Sequence, residues 1–572
     1  MTRPTCFASL LGAFLALTVL RCAAPSSSPP HSVEWDGFVA DYIEAYLIAN
    51  PTVAVRAGRH EFDGQLPDWS PEGLANEESR LREARDQALA FDETLLSEDQ
   101  RFERRYLISR IEQGLFWRVE AERPQRNPRF YSGPLSPSVY LTRDYAPLSD
   151  RMTAFTTYLQ NVPQAVEQIQ TNLRTPMSRP HIQIGVNVFG GMVGYFRDDV
   201  PTILGSVEDP EKQDAYREAN ESAVRSLQQF VEWLKVQEEN ATDDFALGAE
   251  RFAAMLRQTE GVDVPLARLK EIGEADLERN LSALKEACAE LTPGEPIEAC
   301  AAVVAARKPE LGPVEGARNQ LTDLKQFLID KDIVTIPSDE KALVDEAPPY
   351  RRFNLAYIEI PGTYEEDLPS VYYIAPPDPS WSEEERGAYV PGVADLLFVS
   401  VHEVWPGHFL NSLHRALAPS EFARLSGSYA FGEGWAHYTE EMMLEAGLGE
   451  GDLEVQVGQL LNALFRNVRF LSAIGLHAEG MTVEESERMF REKAFTDPGN
   501  ARQQAARGTY DPAYLNYTLG KLMIRKLRDD WTADRGGREA WRAFHDEFLS
   551  YGRPPIPLVR EAMLGTAEGD LF

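Results

Sequence analysis

The spacing of apolar residues predicts amphipathic helices over most of the chain. Between residues 33 and 331, apolar side chains recur at i, i+3, i+4 and i+7, which is the helical pattern. Residues 332–380 are instead rich in β-branched and aromatic residues between prolines and glycines, which predicts short strands and turns. The helical pattern returns over residues 381–572. We therefore expect a mainly α fold with one large domain (33–572), in which two helical lobes flank a small β-sheet.

The N-terminus has the pattern of an export signal. Residues 1–22 combine a basic start with an apolar run that is shorter than the ~20 residues needed to span a bilayer. Cys22 stands where a bacterial lipoprotein carries its lipid, although Arg21 is unusual before such a cysteine. Simple cleavage near Ala23 is the alternative. Residues 23–32 are rich in Ser and Pro, which predicts a flexible tether.

The charge balance excludes several classes of partner. The chain of 572 residues has 57 Lys+Arg and 90 Asp+Glu, a net charge of −33. Nucleic-acid binding depends on cations that neutralise phosphates, and docking on anionic lipid depends on basic clusters. We therefore expect neither partner, and membrane contact only through a lipid on Cys22. After processing, Cys288 and Cys300 remain, either as a disulfide or as two buried thiols.

Candidate metal chemistry lies in one histidine-rich stretch. Four of the nine histidines fall within 36 residues that begin at His402. In H-E-x-x-H enzymes, two His at i and i+4 bind zinc and the Glu between them acts on water. Here Glu403 follows His402, but the second histidine is His408 at i+6, which an ideal helix would turn ~120° away. Pro406 and Gly407 lie between them, so we expect a bulge or kink that restores convergence.

A second segment offers a third ligand. Glu433, His437 and Glu440 lie at i, i+4 and i+7, so they share one face of a predicted helix. Gly432 and Gly434 flank Glu433, which indicates close approach of another backbone. Glu433 is therefore the expected ligand. His437 and Glu440 either support the site or form a polar stripe.

These segments resemble a known family. His402–His408 matches the H-E-x-x-P-G-H hallmark, and Glu433–Glu440 matches the following G-W-A-x-Y-x-E helix, of the bacterial domain of unknown function 885. Leu368–Pro377 and Asn516–Leu522 resemble further parts of that family, more weakly. His437 departs from the pattern, since many relatives have Leu there. The family is grouped with zincin-like metallopeptidases.

The resemblance implies a two-lobed, zincin-like body that binds one Zn²⁺ and hydrolyses peptide bonds. His402, His408 and Glu433 would be the metal ligands. Glu403 would be the general base as zinc-bound water attacks the peptide carbonyl. Small peptides are the expected substrates if the two lobes enclose the site.

Other residues are candidates for substrate contacts. A tyrosine hydroxyl can donate to the oxyanion of the reaction, and we favour Tyr517 over its neighbours Tyr510 and Tyr514 because Gly520 follows one turn later. Arg528 is a candidate for binding a substrate carboxylate. We also consider positions around the site and along the predicted strand: Tyr438 and Tyr373. The strand at residues 370–374 could pair with an extended peptide as an edge strand.

The sequence therefore predicts a zinc metallopeptidase that is exported and either periplasmic or anchored by Cys22 to a bacterial membrane. Two alternatives stay open: a zinc amidase that acts on non-peptide amides, and a non-catalytic lipoprotein that binds metal or peptide. Exopeptidase and endopeptidase action are both compatible with the motifs. The acidic surface suggests a preference for cationic peptides.

Overall fold

The computed structural model describes residues 30–348, 352, 355–365, 367–377, 382–566 and 569–572. The predicted leader, Cys22 and most of the tether lie outside the described residues. The first helix begins at Pro30, within the last part of the predicted tether. Among the described residues, no helix is both long enough and apolar enough to cross a membrane.

The described chain is mainly helical, as predicted. The helices of the N-terminal part are α1 Pro30–Ala49, α2 Pro51–Ala57, α3 Pro71–Ala90, α4 Glu98–Leu115, α5 Arg123–Arg126, α6 Arg129–Ser132, α7 Ser138–Thr142, α8 Leu148–Asn172, α9 Arg179–Gly194, α10 Val200–Leu204 and α11 Pro210–Gln237. The middle part contains α12 Ala249–Glu260, α13 Leu266–Leu291, α14 Ile297–Ala306 and α15 Pro313–Lys331. The C-terminal part contains α16 Glu383–Tyr389, α17 Val393–Glu403, α18 His408–Ala416, α19 Glu421–Leu425, α20 Tyr429–Glu445, α21 Leu453–Ile474, α22 Val483–Lys493, α23 Pro498–Tyr510, α24 Asn516–Thr532, α25 Trp541–Ser550 and α26 Ile556–Leu564.

Three short strands form the small sheet between the helical parts. They are β1 Leu343–Glu346, β2 Ala356–Glu359 and β3 Val371–Ile374, all within the predicted range 332–380. The order is β1-β3-β2, with β1 parallel to β3 and β2 antiparallel to it. The prediction that residues 370–374 form a peptide-binding edge is therefore wrong. β3 is paired on both sides, so its backbone groups are already hydrogen-bonded within the sheet.

The hydrophobic cores divide the chain differently from the predicted lobes. One core is built from residues between Val55 and Leu234, on the N-terminal helices. The largest core combines residues of α12–α15, such as Leu284, with residues of α17, α20, α21 and α24, such as Trp435. Residues 249–331 therefore share a core with the C-terminal half, although the sequence pattern grouped them with the N-terminal helices. Amphipathic periodicity marks the buried face of a helix but does not identify the helix it packs against.

One disulfide and one close helix crossing hold elements of this larger core together. Cys288 and Cys300 form a disulfide that joins α13 to α14, which resolves the alternative left open by the sequence. Helices α20 and α24 cross at a pair of glycines, because a Cβ on Gly434 would lie 2.4 Å from Gly520 Cα. The close approach predicted beside Glu433 is thus correct for Gly434. A Cβ on Gly432 would meet nothing within 4 Å.

Candidate metal centre

The two motif histidines lie on either side of a break between two helices. Helix α17 ends at Glu403 and α18 begins at His408. The Gly407 N–H donates to the Val401 carbonyl oxygen at 3.0 Å, a bond from residue i to residue i−6. A regular α-helix bonds i to i−4, so two additional residues are looped out here. The expected interruption is confirmed, and it takes the form of a complete helix break.

Glycine is required at the end of this break. A Cβ on Gly407 would lie only 1.8 Å from the His402 carbonyl oxygen. The turn is also held from outside, because the Trp435 indole N–H donates to the Pro406 carbonyl oxygen at 2.8 Å. Trp435 belongs to α20, which also carries Glu433. One helix therefore supplies a candidate ligand and a support for the loop between the other two.

Three side chains converge at this point. His402 Nε2 and His408 Nε2 each lie 3.4 Å from Glu433 Oε2, and the three candidate ligand atoms are all within 4.8 Å of one another. Two ligand atoms bound to zinc at ~2.0–2.1 Å in tetrahedral geometry lie about 3.3–3.4 Å apart. The observed nitrogen-to-oxygen separations fit that geometry. Two imidazoles and one carboxylate are also a donor set that zinc accepts, and a fourth position would stay open.

A buried carboxylate orients the first histidine. Glu440 Oε1 lies 2.8 Å from His402 Nδ1, so that nitrogen carries the proton and Nε2 is left to face Glu433. Arg466 Nη2 lies 3.0 Å from the same Glu440 oxygen and holds the carboxylate in place. Glu440 is fully buried. This carboxylate–histidine pair is the usual support of a metal-ligating imidazole.

The local electrostatics stabilise a positive charge at the point of convergence. Burial opposes protonation of His402, but its hydrogen bonds to Glu433 and Glu440 outweigh burial and raise its pKa to about 9. Burial would raise the pKa of Glu433, but the neighbouring His408 and His402 hold it well below its usual range. Acidic groups thus surround a point where a proton or a metal cation is favoured.

Glu403 lies beside this cluster on the last turn of α17. Its Oε2 accepts a hydrogen bond from the Ile358 N–H of β2 at 3.1 Å. Burial raises the pKa of its carboxyl, although the charges of His408 and His402 oppose that change. The edge strand nearest to the site is therefore β2, which the sequence analysis did not single out.

Tyr517 is the predicted tyrosine that lies next to the cluster. Its ring is 6.2 Å from the His402 ring and nearly parallel to it, and the residue is 9% exposed. The Tyr514 hydroxyl is buried and donates to Ser472 Oγ at 2.9 Å, so it is not available to a substrate. Gly520, the reason for favouring Tyr517, was expected to let a substrate or a helix approach closely, and it is helix α20 that does so.

Of the other predicted site residues, His437 supports the site, whereas Arg528, Tyr438 and Tyr373 have their contacts elsewhere. His437 is buried, its Nδ1 lies 3.2 Å from Glu440 Oε2, and burial lowers its pKa to about 4, so it supports Glu440 as a neutral imidazole. Arg528 donates to Glu445 at 2.6 Å and to the Tyr438 hydroxyl at 3.2 Å.

Neither Arg528 nor Tyr438 contacts the three converging residues. The Tyr438 hydroxyl bonds to His545 Nε2 at 2.8 Å in the core. Tyr373 lies on the central strand and packs against Tyr357. The predicted substrate contacts of Arg528, Tyr438 and Tyr373 thus have no support in the geometry, because each side chain already has partners elsewhere.

Sequence reasoning missed the basic side chains around Tyr517. Arg466, Arg469 and Arg507 have their guanidinium carbons 6.0, 4.8 and 5.8 Å from its ring centroid. Arg466 and Arg469 lie three residues apart on one face of α21. The sequence could have indicated these residues, because two arginines three positions apart on a largely apolar helix predict buried charges. Buried arginines are rare without a specific partner.

The fold and site define a mainly helical protein with a candidate metal centre of two histidines and one glutamate. Residues 51–563 match the family described as "Bacterial protein of unknown function (DUF885)", and the chain belongs to this family. No curated protein is significantly similar to the chain.

Two solved structures share the fold. One, described as a candidate lipoprotein of unknown function from Shewanella oneidensis, has a TM-score of 0.78 at 22% identity and covers 93% of this chain and 99% of its own. The other, described as a candidate lipoprotein from Colwellia psychrerythraea, has a TM-score of 0.79 at 16% identity over 94% and 99% of the two chains. At these identities the likeness concerns the fold alone.

Proposed function

We propose that this chain is a zinc-dependent peptidase of the bacterial cell envelope. The observation that carries the proposal is the convergence of His402 Nε2, His408 Nε2 and Glu433 Oε2, in which both nitrogen-to-oxygen separations match tetrahedral zinc ligation. Glu403 directly follows the first of these residues and is not one of the three, which leaves its carboxylate free for proton transfer.

The chemistry divides between the metal and the protein. When bound, zinc supplies Lewis acidity, which polarises a carbonyl and makes water more acidic. Glu403 takes a proton from the attacking water and passes it to the amine nitrogen that leaves. The C–N bond of the amide breaks and a C–O bond forms, so water is consumed. The Ile358 N–H holds one oxygen of Glu403, which keeps the carboxylate oriented.

Tyr517 is the proposed oxyanion donor. Its ring lies along His402, and the Arg507 guanidinium carbon lies 5.8 Å from its ring centroid. A donor aimed at the developing negative charge stabilises the transition state more than the ground state.

Access to the centre favours small peptides over folded proteins. The side chains of His408 and Glu433 are only 17% and 24% exposed, which favours a small substrate over a folded one. A two-lobed, zincin-like body around the candidate metal centre is part of this proposal. The two lipoprotein descriptions among the similar structures, together with the leader pattern, support export and a lipid anchor on Cys22.

The Glu403→Gln variant tests the proposal. We expect zinc content to stay near one ion per chain while peptide hydrolysis falls by about 10²–10⁴-fold, because the ligands are kept and the base is lost. Glu83→Gln, an exposed position on α3, is the matched control and should keep full activity. Unchanged turnover in Glu403→Gln would contradict the mechanism.

The substrate panel separates the remaining alternatives. Zinc binding with no hydrolysis of peptides or amides in the wild-type protein would point to a non-catalytic, metal- or peptide-binding lipoprotein. Hydrolysis confined to non-peptide amides would point to an amidase. A chelator control should abolish either activity, and added zinc should restore it.

A further inference from the structure

One buried cation beside the candidate centre has no acidic partner. Arg469 lies on α21, is 8% exposed and has its guanidinium carbon 4.8 Å from the Tyr517 ring centroid. Its Nε donates to Gln504 Oε1 at 2.9 Å. This bond accounts for one of its five N–H groups. The terminal guanidinium nitrogens have no acceptor among the described residues.

The neighbouring arginines differ in this respect. Arg466 is paired with Glu440 at 3.0 Å, and Arg507 is paired with Asp511 at 2.9 Å. Within the described part of the chain, no carboxylate lies within salt-bridge distance of Arg469. Burial and the adjacent Arg507 lower the pKa of Arg469 to about 10, which still leaves it charged at neutral pH.

The Arg469 side chain is mostly buried while its terminal nitrogens keep some contact with solvent, so its charge loses much of its hydration without an ionic partner. Phe465 and Tyr517, whose ring centroids lie 4.7 and 4.8 Å from its guanidinium carbon, offset part of this cost as cation–π partners but accept none of its terminal N–H groups. The guanidinium instead has the planar fork that matches a carboxylate. The missing partner is therefore expected to be an anion that comes from outside the chain.

The position fits a substrate that is held at the metal. The His402 and Tyr517 ring centroids are 6.2 Å apart, and the Arg469 guanidinium carbon is 4.8 Å from the Tyr517 centroid. The guanidinium carbon therefore lies at most 11.0 Å from the His402 ring centroid. Each residue of an extended peptide spans ~3.3–3.6 Å. A carboxylate one or two residues from a carbonyl at the metal would therefore reach the Arg469 guanidinium.

We propose that Arg469 binds a carboxylate of the peptide substrate, and that this carboxylate is the C-terminal one. This inference rests on the proposed peptidase function and specifies it: the enzyme removes one or two residues from the C-terminal end. Arg507 and Tyr517 line the same subsite. The proposed subsite at Arg469 is thus locally positive, beside an acidic metal centre and within a chain of net charge −33. That local charge argues against the preference for cationic peptides suggested by the overall composition.

The test compares substrates with and without the carboxylate. An N-acetylated Ala-Ala-Phe tripeptide, its C-terminal amide, and an amidated Ala-Ala-Glu analogue are assayed with the wild-type protein and with Arg469→Met. We expect the wild type to prefer the free acid over the amide by about 10- to 100-fold in kcat/KM, mainly through KM. In Arg469→Met the ratio should approach one, with thermal stability and zinc content retained.

The control removes a positive charge elsewhere. Arg502→Met is on α23 at an exposed position and should keep the wild-type ratio between acid and amide. Wild-type preference for the amidated Glu analogue would assign the subsite to an acidic side chain and would overturn the C-terminal assignment. An unchanged acid-to-amide ratio in Arg469→Met would overturn the whole inference.

A binding experiment separates this inference from the proposed activity. Calorimetric titration of the Glu403→Gln protein with the tripeptide acid and its amide measures recognition without turnover. If the double variant Glu403→Gln/Arg469→Met binds the acid about 10- to 100-fold more weakly than Glu403→Gln, the subsite is supported even if no hydrolysis is found. Hydrolysis of acid and amide at equal rates by the wild type would leave the peptidase proposal standing and reject the role of Arg469.

Discussion

Replacing Gly407 by alanine perturbs the break that brings His402 and His408 together. The added Cβ would lie 1.8 Å from the His402 carbonyl oxygen and 2.5 Å from the Val401 carbonyl oxygen, whereas such contacts are not found below 3.0 Å. The backbone must therefore shift by at least 1.2 Å at the residue preceding a candidate ligand. Metal sites tolerate about 0.2 Å in bond length.

We expect two measurable consequences of Gly407→Ala. The free energy of unfolding should fall by roughly 2–4 kcal/mol, as for a severe overpacking within a buried turn. Zinc affinity should fall by at least about 10- to 100-fold, because the two imidazoles no longer converge. Urea denaturation measures the first effect, and competition with a chromophoric chelator measures the second.

The matched variant is Gly432→Ala on α20, where a new Cβ meets nothing within 4 Å. It should keep zinc affinity and gain about 0.5–1 kcal/mol, because alanine favours a helix over glycine. Zinc affinity and stability of Gly407→Ala within error of the wild type would refute the reasoning, since the break would then not need glycine to form the site.

Three further predictions follow from separate parts of the fold. Glu440→Gln should weaken zinc binding by about 10- to 100-fold in chelator competition while the fold is retained, because His402 loses its orienting carboxylate; unchanged affinity would contradict that role. Replacing both Cys288 and Cys300 by alanine should lower the free energy of unfolding by about 2–3 kcal/mol in urea without changing zinc content. Burial opposes protonation of His60, but its two carboxylate partners outweigh burial and raise its pKa to about 9. Its stabilising effect is therefore complete below pH ~6.5 and is lost as pH rises through 9; thermal melts of His60→Gln should lack this part of the decline.

The sequence predicted which side chains converge at the site better than it predicted their surroundings. His402, His408 and Glu433 could be identified because histidine clustering, Pro406-Gly407 and helical spacing each have a local physical meaning. The interruption of the helix between the two histidines followed from the same local argument. The i to i−6 bond of Gly407 bears out that expectation.

Long-range partners could not be predicted in the same way. Arg528 and Tyr438 had suitable side chains, but Arg528 bonds to Glu445 and to the Tyr438 hydroxyl instead of contacting the site. Arg469 lies far along the chain from His402 and meets the site only through Tyr517. Which helices become neighbours depends on packing among many amphipathic elements. No single periodicity encodes that choice.

The division of the chain illustrates the same limit. Helices α12–α15 have the same amphipathic pattern as those before them, yet they pack with the C-terminal half. The sheet region was predicted within its bounds, but the strand order was not, because β3 lies between β1 and β2 although it comes last in sequence. Order within a sheet depends on tertiary pairing.

The most direct test of the central claim is a crystal structure of the zinc-soaked protein with anomalous diffraction at the zinc edge. The account predicts one anomalous peak, bonded at about 2.0–2.2 Å to His402 Nε2, His408 Nε2 and a Glu433 carboxylate oxygen. A fully occupied peak bound by other residues, or no peak at this cluster with zinc in excess, would contradict it.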